Sequence, residues 1–374
     1  MVENNKQKKE VRFMAVGDMM FCCDLGEKLR ASNDYDFPFA KIRDFISQAD
    51  FLYGNFETMI TIKHEAEKFA GPGLYYADPP AAQAISRAHF NAVNLAHNHL
   101  YDFGAEAVEL TMQLLSDAGV IYHGIGRNAR EAQQPLEVEI NGLTLGMLSY
   151  CSASTAIDKK HKYVVCPIDL RIIRKDVSEL SKRVDIVSVT LHEGACSYPS
   201  PPHRKCAKAA IDAGAKLVIS HHPHVINGVE EYNGGVIAYG LGNFVAYFTD
   251  EQYRQTFVLD CLLKPDKTIK YNIVPVWIND CFQPEIAEGS RKDRISTYID
   301  ELCRKLYTGE SDREYWHEMR SSFIASNYRE VVRSLKAEGM SVILRKIKRA
   351  RPHHFRLFLN SAFGKMIQGK SKKD

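Results

Sequence analysis

The stretch Lys216-Leu217-Val218-Ile219-Ser220-His221-His222-Pro223-His224 runs a short apolar segment straight into three imidazoles. Asp212-Ala213-Gly214 stands just before it and reads as the end of a helix closed by glycine. Helix, glycine, then a brief apolar run is the grammar of an α/β protein whose strands are largely buried. Successive side chains on a strand point to opposite faces, so three imidazoles in four residues leave at least two that cannot point into the core. They belong at a strand exit.

The same grammar recurs outward from this stretch. Apolar, β-rich runs are found at Val11 to Val16, Asp50 to Gly54, Ala92 to Ala96, Thr144 to Tyr150, Asp185 to Leu191, Val236 to Gly240 and Thr256 to Leu263. Asp78-Pro79 opens one helix, and the stripe containing Val108 and Leu115 ends near Gly119. Four further strand exits carry residues able to do chemistry. They read Gly17-Asp18, Asn55-Phe56-Glu57, Asn94-Leu95-Ala96-His97-Asn98-His99, and His192-Glu193-Gly194. Open α/β sheets place their sites at such ends. A lone aspartate after a strand is ordinarily a turn residue, and His89, His97 and His203 read as satisfied histidines, but five coincident exits point to a metal centre.

Carboxylates, an amide oxygen and imidazoles form a mixed oxygen and nitrogen set suited to Mn, Fe or Zn and unlike a thiolate structural site. Hydrolysis is its natural use. Two divalent ions about 3.5–4 Å apart can bind opposite oxygens of a substrate and activate water. One carboxylate must span both, and Glu57 is the candidate.

The order Gly-Asp, Asn-x-Glu, Asn-His, His-x-Gly and His-Pro-His, followed by Gly240-Leu241-Gly242-Asn243-Phe244, resembles the CapA (poly-gamma-glutamate capsule synthesis) family from about Val11 to Pro275. That family is similar to the calcineurin-like metallophosphoesterases. The resemblance implies a four-layer sandwich, two β-sheets flanked by helices, and a metal-dependent hydrolase of phosphoester or amide bonds in capsule, poly-gamma-glutamate or exopolysaccharide synthesis. It implies that Asp18 binds a first metal, Glu57 bridges, Asn98 and His192 bind a second, and His222 and His224 complete the two spheres. His99 takes the place of a general acid or oxyanion stabiliser, with Asp102 orienting its ring. The histidine that phosphoesterases usually carry two residues after the first aspartate is Met20 here. A non-catalytic metal-binding scaffold or regulator on the same fold is the alternative that Met20 favours.

The domain expected from these patterns covers residues 11–280, after a disordered stretch at 1–10 and before a helical, basic extension at 281–374. Residues Ser341 to Asp374 carry ten Lys and Arg against one acid, while the preceding 340 residues carry 39 against 45. Apolar residues at helical spacing in that tail, Val342 to Ile347 and Phe355 to Met366, suit either a helix lying on the body or contact with anionic lipid. Nucleic acid is disfavoured, because no recognised module accompanies the basic residues. No apolar run is long enough to span a bilayer, and the polar Met1 to Glu10 lacks a signal-peptide core, so a cytoplasmic location is expected. Nine cysteines without paired spacing fit a reducing compartment. Cys151 and Cys196 as nucleophiles find no triad spacing in support.

Overall fold

The computed structural model describes residues 8–62, 75–152, 162–194 and 197–321. In chain order its strands begin with β1 (Val11–Met19), β2 (Phe51–Phe56), β3 (Met59–Ile60), β4 (Tyr76–Ala77), β5 (Ala92–Asn94), β6 (Ile121–His123) and β7 (Ile125–Gly126). There follow β8 (Leu136–Ile140), β9 (Leu143–Cys151), β10 (Val164–Val165), β11 (Ile186–His192), β12 (Leu217–His221), β13 (Val229–Tyr232) and β14 (Gly235–Ala238). The last are β15 (Asn243–Val245), β16 (Gln255–Leu263), β17 (Ile269–Ile278) and β18 (Pro284–Ile286).

Two large sheets result. One runs β18-β17-β16-β1-β2-β5-β6 with β15 added beside β1, and the other runs β13-β14-β12-β11-β9-β8. In each, the central strands are parallel: β1, β2, β5 and β6 in the first, β9, β11, β12 and β14 in the second. All of these but the edge strand β6 are buried and read as continuous apolar runs, which is why their positions stood out in the sequence.

Strand alternation builds the layers. Phe13 and Ala15 of β1, with Phe51 and Tyr53 of β2, face Leu145, Met147, Leu217 and Ile219 of the other sheet across a shared core. Their neighbours Met14, Val16 and Leu52 point the opposite way, into a core shared with Leu25 and Leu29 of the helix Cys23–Ser32, Ile85 of Pro80–Arg87 and Val108 of Gly104–Asp117. On the second sheet Leu148, Val187, Val189 and Val218 pack against Ile173 and Val177 of the helix Leu170–Leu180 and Ala207 of Pro201–Asp212. The described body is thus a four-layer α/β sandwich, two β-sheets flanked by helices. Each large apolar side chain so buried contributes about 1.5–3 kcal/mol relative to exposure.

The first compact unit runs to Asp312. Within it the helix Gly289–Thr308 places Ile295, Ile299 and Leu302, all nearly inaccessible, against the core between the sheets. Its many charged residues hid this apolar face in the sequence. At the other end, residues 8–10 are not free: Lys8 pairs with Asp185, and Lys9 N–H donates to Asn141 O at 3.0 Å. The basic tail from Ser341 onward lies outside the described residues. Among the described residues, no helix is long and apolar enough to cross a membrane.

Candidate metal centre

Parallel neighbours end side by side, so the chemistry-bearing exits of each sheet converge by register. Asp18 of β1 stands opposite Asn55 of β2, and His192 of β11 opposite His221 of β12. The last turn of β1 is held by an unusual approach. Asp18 N–H donates to Gly242 O at 3.0 Å, and a Cβ on Gly17 would sit 2.0 Å from that same oxygen. Only glycine permits the strand to run this close to the β15 segment and aim Asp18 inward.

The two sheets then meet through side chains. Asp18 Oδ1 accepts from Asn55 Nδ2 at 2.8 Å and lies 3.0 Å from His221 Nδ1, while Asp18 Oδ2 lies 3.2 Å from His224 Nδ1. Burial and the neighbouring Glu57 push the Asp18 carboxyl upward, but hydrogen bonds from His221 and His224 outweigh them and hold it at about 2. Asn55 also donates to Glu57 Oε2 at 3.2 Å, and its own carbonyl oxygen accepts from Asn94 Nδ2 at 2.7 Å. Asn94 is fixed in turn by Ser149 Oγ at 2.6 Å. The amide of Asn55 is therefore not free to swing.

Glu57 is fully buried. Burial raises its carboxyl, yet His192 and His224 draw it well below the usual carboxylate range, so it is an anion. Its Oε1 lies 3.3 Å from His192 Nε2, 3.7 Å from His222 Nδ1 and 3.8 Å from His224 Nε2. Glu57 Oε1, His222 Nδ1 and His221 Nε2 are buried with no hydrogen-bond partner among the described residues. Such groups are costly to leave unmet. Glu57, His222 and His224 each offer an atom within 4.8 Å of the others. Ligands about 2.1 Å from one cation stand roughly 3–4 Å apart, so this spacing and this oxygen and nitrogen set fit a divalent ion. Glu57, His222 and His224 thus form a candidate metal-binding triad.

The remaining expected residues join the same constellation. Asn98 Oδ1 lies 2.8 Å from His192 Nε2, and burial holds His192 neutral, its pKa lowered to about 4. His99 Nδ1 lies 2.7 Å from Asp102 Oδ2. His99, His222 and His224 open onto a cleft of about 310 Å³ also lined by Met20, Tyr75, Phe248 and Tyr253. Asp18, Glu57, Asn98, His99, Asp102, His192, His222 and His224 are therefore brought together. His224 is drawn up to about 9, because Glu57 and Asp18 outweigh the burial that lowers it. His222 and His224 hold φ values of 98° and 59° on either side of Pro223. Non-glycine residues in that region carry strain and persist where the surroundings impose it.

Several contributors had no assigned role in the sequence. Asn55 and His221 orient Asp18, and Asn243 Oδ1 lies 3.0 Å from His224 Nδ1 while its Nδ2 donates to His224 O at 3.2 Å. Position at a strand exit was the signal for all three. The turn Gly240 to Asn243 is thus part of the site wall. Of the histidines set aside, His203 pairs with Ser220 at 2.8 Å, whereas His97 is buried and accepts from His99 N–H at 3.2 Å, with Nε2 unpartnered among the described residues. Cys151 is fully buried in the core beside β11, and Cys196 lies outside the described residues.

Known proteins resemble this chain over the same segment. The family model described as "Bacterial capsule synthesis protein PGA_cap" matches residues 12–247. "Capsule biosynthesis protein CapA" of Bacillus anthracis is 25% identical over 345 residues, covering 89% of this chain and 82% of that protein. "PGA biosynthesis protein CapA" of Bacillus subtilis (strain 168) is 28% identical over 295 residues, 77% of each. A "Probable polyglutamine synthesis accessory protein" of Mycobacterium tuberculosis is 27% identical over 208 residues, covering 51% of this chain and 54% of that one.

Proposed function

Because this chain belongs to the bacterial capsule synthesis protein family, we propose that it is a metal-dependent hydrolase acting on a phosphoester or amide bond during synthesis of an anionic cell-surface polymer, on the polymer or its cytoplasmic precursor. The observation that carries this reading is the buried, ionised Glu57, whose Oε1 has no hydrogen-bond partner among the described residues and lies 3.3 Å from His192, 3.7 Å from His222 and 3.8 Å from His224. A carboxylate left this way inside a protein asks for a cation.

In this reading two divalent ions, Mn, Fe or Zn, supply Lewis acidity and a lowered pKa for water when bound. Asp18 would hold the first, and Glu57 would serve both. Asn98 and His192 serve the second, with His222 and His224 completing the spheres. Asn55 and His221 fix the rotamer of Asp18 from either side. His99 reaches the cleft with its Nδ1 tied to Asp102. That bond leaves Nε2 to give a proton to the leaving group or to stabilise developing negative charge.

Metal analysis of the purified protein, followed by assays of wild type beside His99→Ala and His192→Ala on phosphoester, peptide-like amide and polymer substrates, tests this. Bound metal with hydrolysis that both variants lose is the expected result. A second reading is favoured by Met20, which lines the cleft where phosphoesterases usually place a histidine: a metal-binding scaffold or regulator without turnover. Stoichiometric metal with no cleavage of any of these substrates would establish it.

A further inference from the structure

Four aromatic rings run in sequence from His99 to His224 along the cleft. Tyr75 meets the His99 ring edge-on at 4.6 Å, and its hydroxyl accepts from the Tyr247 hydroxyl at 3.3 Å. Tyr247 stacks on Phe248 at 4.5 Å, Phe248 lies 5.0 Å from Tyr253, and Phe248 returns to the His224 ring at 5.7 Å. All four rings are only partly buried. Tyr75, Phe248 and Tyr253 line the cleft, and among the described residues that line it there is no Lys or Arg.

Such rings bury apolar area well and hold a partner by stacking, while tyrosine hydroxyls satisfy a polar edge. Phe248 has no polar atom whose needs would explain its exposure at the rim. The cleft, about 310 Å³, stands at the lower limit of small-molecule sites and has room for one ring beside a reacting group.

We infer that this aromatic shelf holds a six-membered ring, aryl or pyranose, adjoining the scissile group of the substrate, with Phe248 and Tyr253 as specificity-determining residues. The inference rests on the metallohydrolase reading of the neighbouring centre.

Isothermal titration of the full chain with Mn2+ present uses three probes: phenylphosphonate, the phosphonate analogue of glucose 1-phosphate, and phosphonoacetate. A ring probe should bind about tenfold tighter than phosphonoacetate, and that advantage should vanish in Phe248→Ala and shrink in Phe248→Leu, which keeps bulk but not a flat face. Whichever ring probe binds tighter names the ring. Equal affinity for all three, or an advantage that survives both Phe248→Ala and Tyr253→Ala, overturns the shelf. If no phosphonate binds, the phosphoester form of the hydrolase reading fails on its own. p-Nitrophenyl glucoside, which has no metal-seeking group, then decides: saturable quenching of protein fluorescence lost in Phe248→Ala supports the shelf, and no quenching overturns it.

Discussion

Asp102 shows how much one carboxylate can do without touching substrate. It fixes the His99 ring through a 2.7 Å contact, and outer partners of this sort typically contribute 10–100-fold to function. Asp102→Ala should therefore lower turnover on a responsive substrate by about that factor, with KM and metal content little changed. A fall in metal content to match the lost rate would show that the residue supports the ligands instead. Glu57→Gln is the complementary case. It keeps volume but removes the charge facing His192 and His224, so metal affinity measured by equilibrium dialysis should fall by at least ~100-fold, since ligand charge sets the grip on divalent ions. Retention of full metal by this variant would remove Glu57 from the coordination sphere.

Among elements, β1 depends on the missing side chain at Gly17. A methyl placed 2.0 Å from Gly242 O forces the β15 segment away, so Gly17→Ala should cost at least about 1–3 kcal/mol and weaken metal binding in parallel. An unchanged melting temperature would show that the strands can part freely. The helix Gly289–Thr308 gives a second test. Because Ile299 is buried against the core between the sheets, Ile299→Ala should destabilise by about 2–5 kcal/mol, and a chain ended at 280 should melt well below one ended after Asp312. These two elements also mark what the sequence discloses. All eight expected strands exist, because strands buried on both faces leave uninterrupted apolar runs, and the exits Asp18, Glu57, His192 and His222 were legible as chemistry placed where apolar runs stop. The ten-residue β17 was not, because it buries one face only, and the helix Gly289–Thr308 was read as part of a helical extension without its buried face. In Ile269–Ile278 polar residues interleave the apolar ones, and in the helix charge dominates composition. His221 and Asn55 were visible as residues, but their bonds to Asp18 join β1 to positions 203 and 37 residues away, which no local pattern encodes.

The whole molecule should respond to acid in a defined window. His123 and His203 are both buried neutral, their pKa values lowered by burial to about 4. The unfolded chain takes up these protons near pH 6.5, whereas the folded one resists until about pH 4. Their contribution is complete above pH 6.5 and drains away as pH falls toward 4, on the order of 3 kcal/mol each. Chemical denaturation of wild type and His203→Asn across pH 7.5 to 4.5 reads this, and the variant should show the shallower slope. Parallel slopes would mean that the His203 ring is protonated in the native protein.

The contact between Asp18 of the first sheet and His221 of the second has a mechanical meaning. A cation seated beside it would be clasped from both halves at once, like a rivet through two plates. Stripping it with a chelator should thus do more than silence chemistry. Native stability rises as RT ln(1 + [L]/Kd) with ligand, so at a hundredfold excess over Kd the riveted protein gains about 2.7 kcal/mol over the stripped one, and the two plates should breathe more freely when the rivet is drawn.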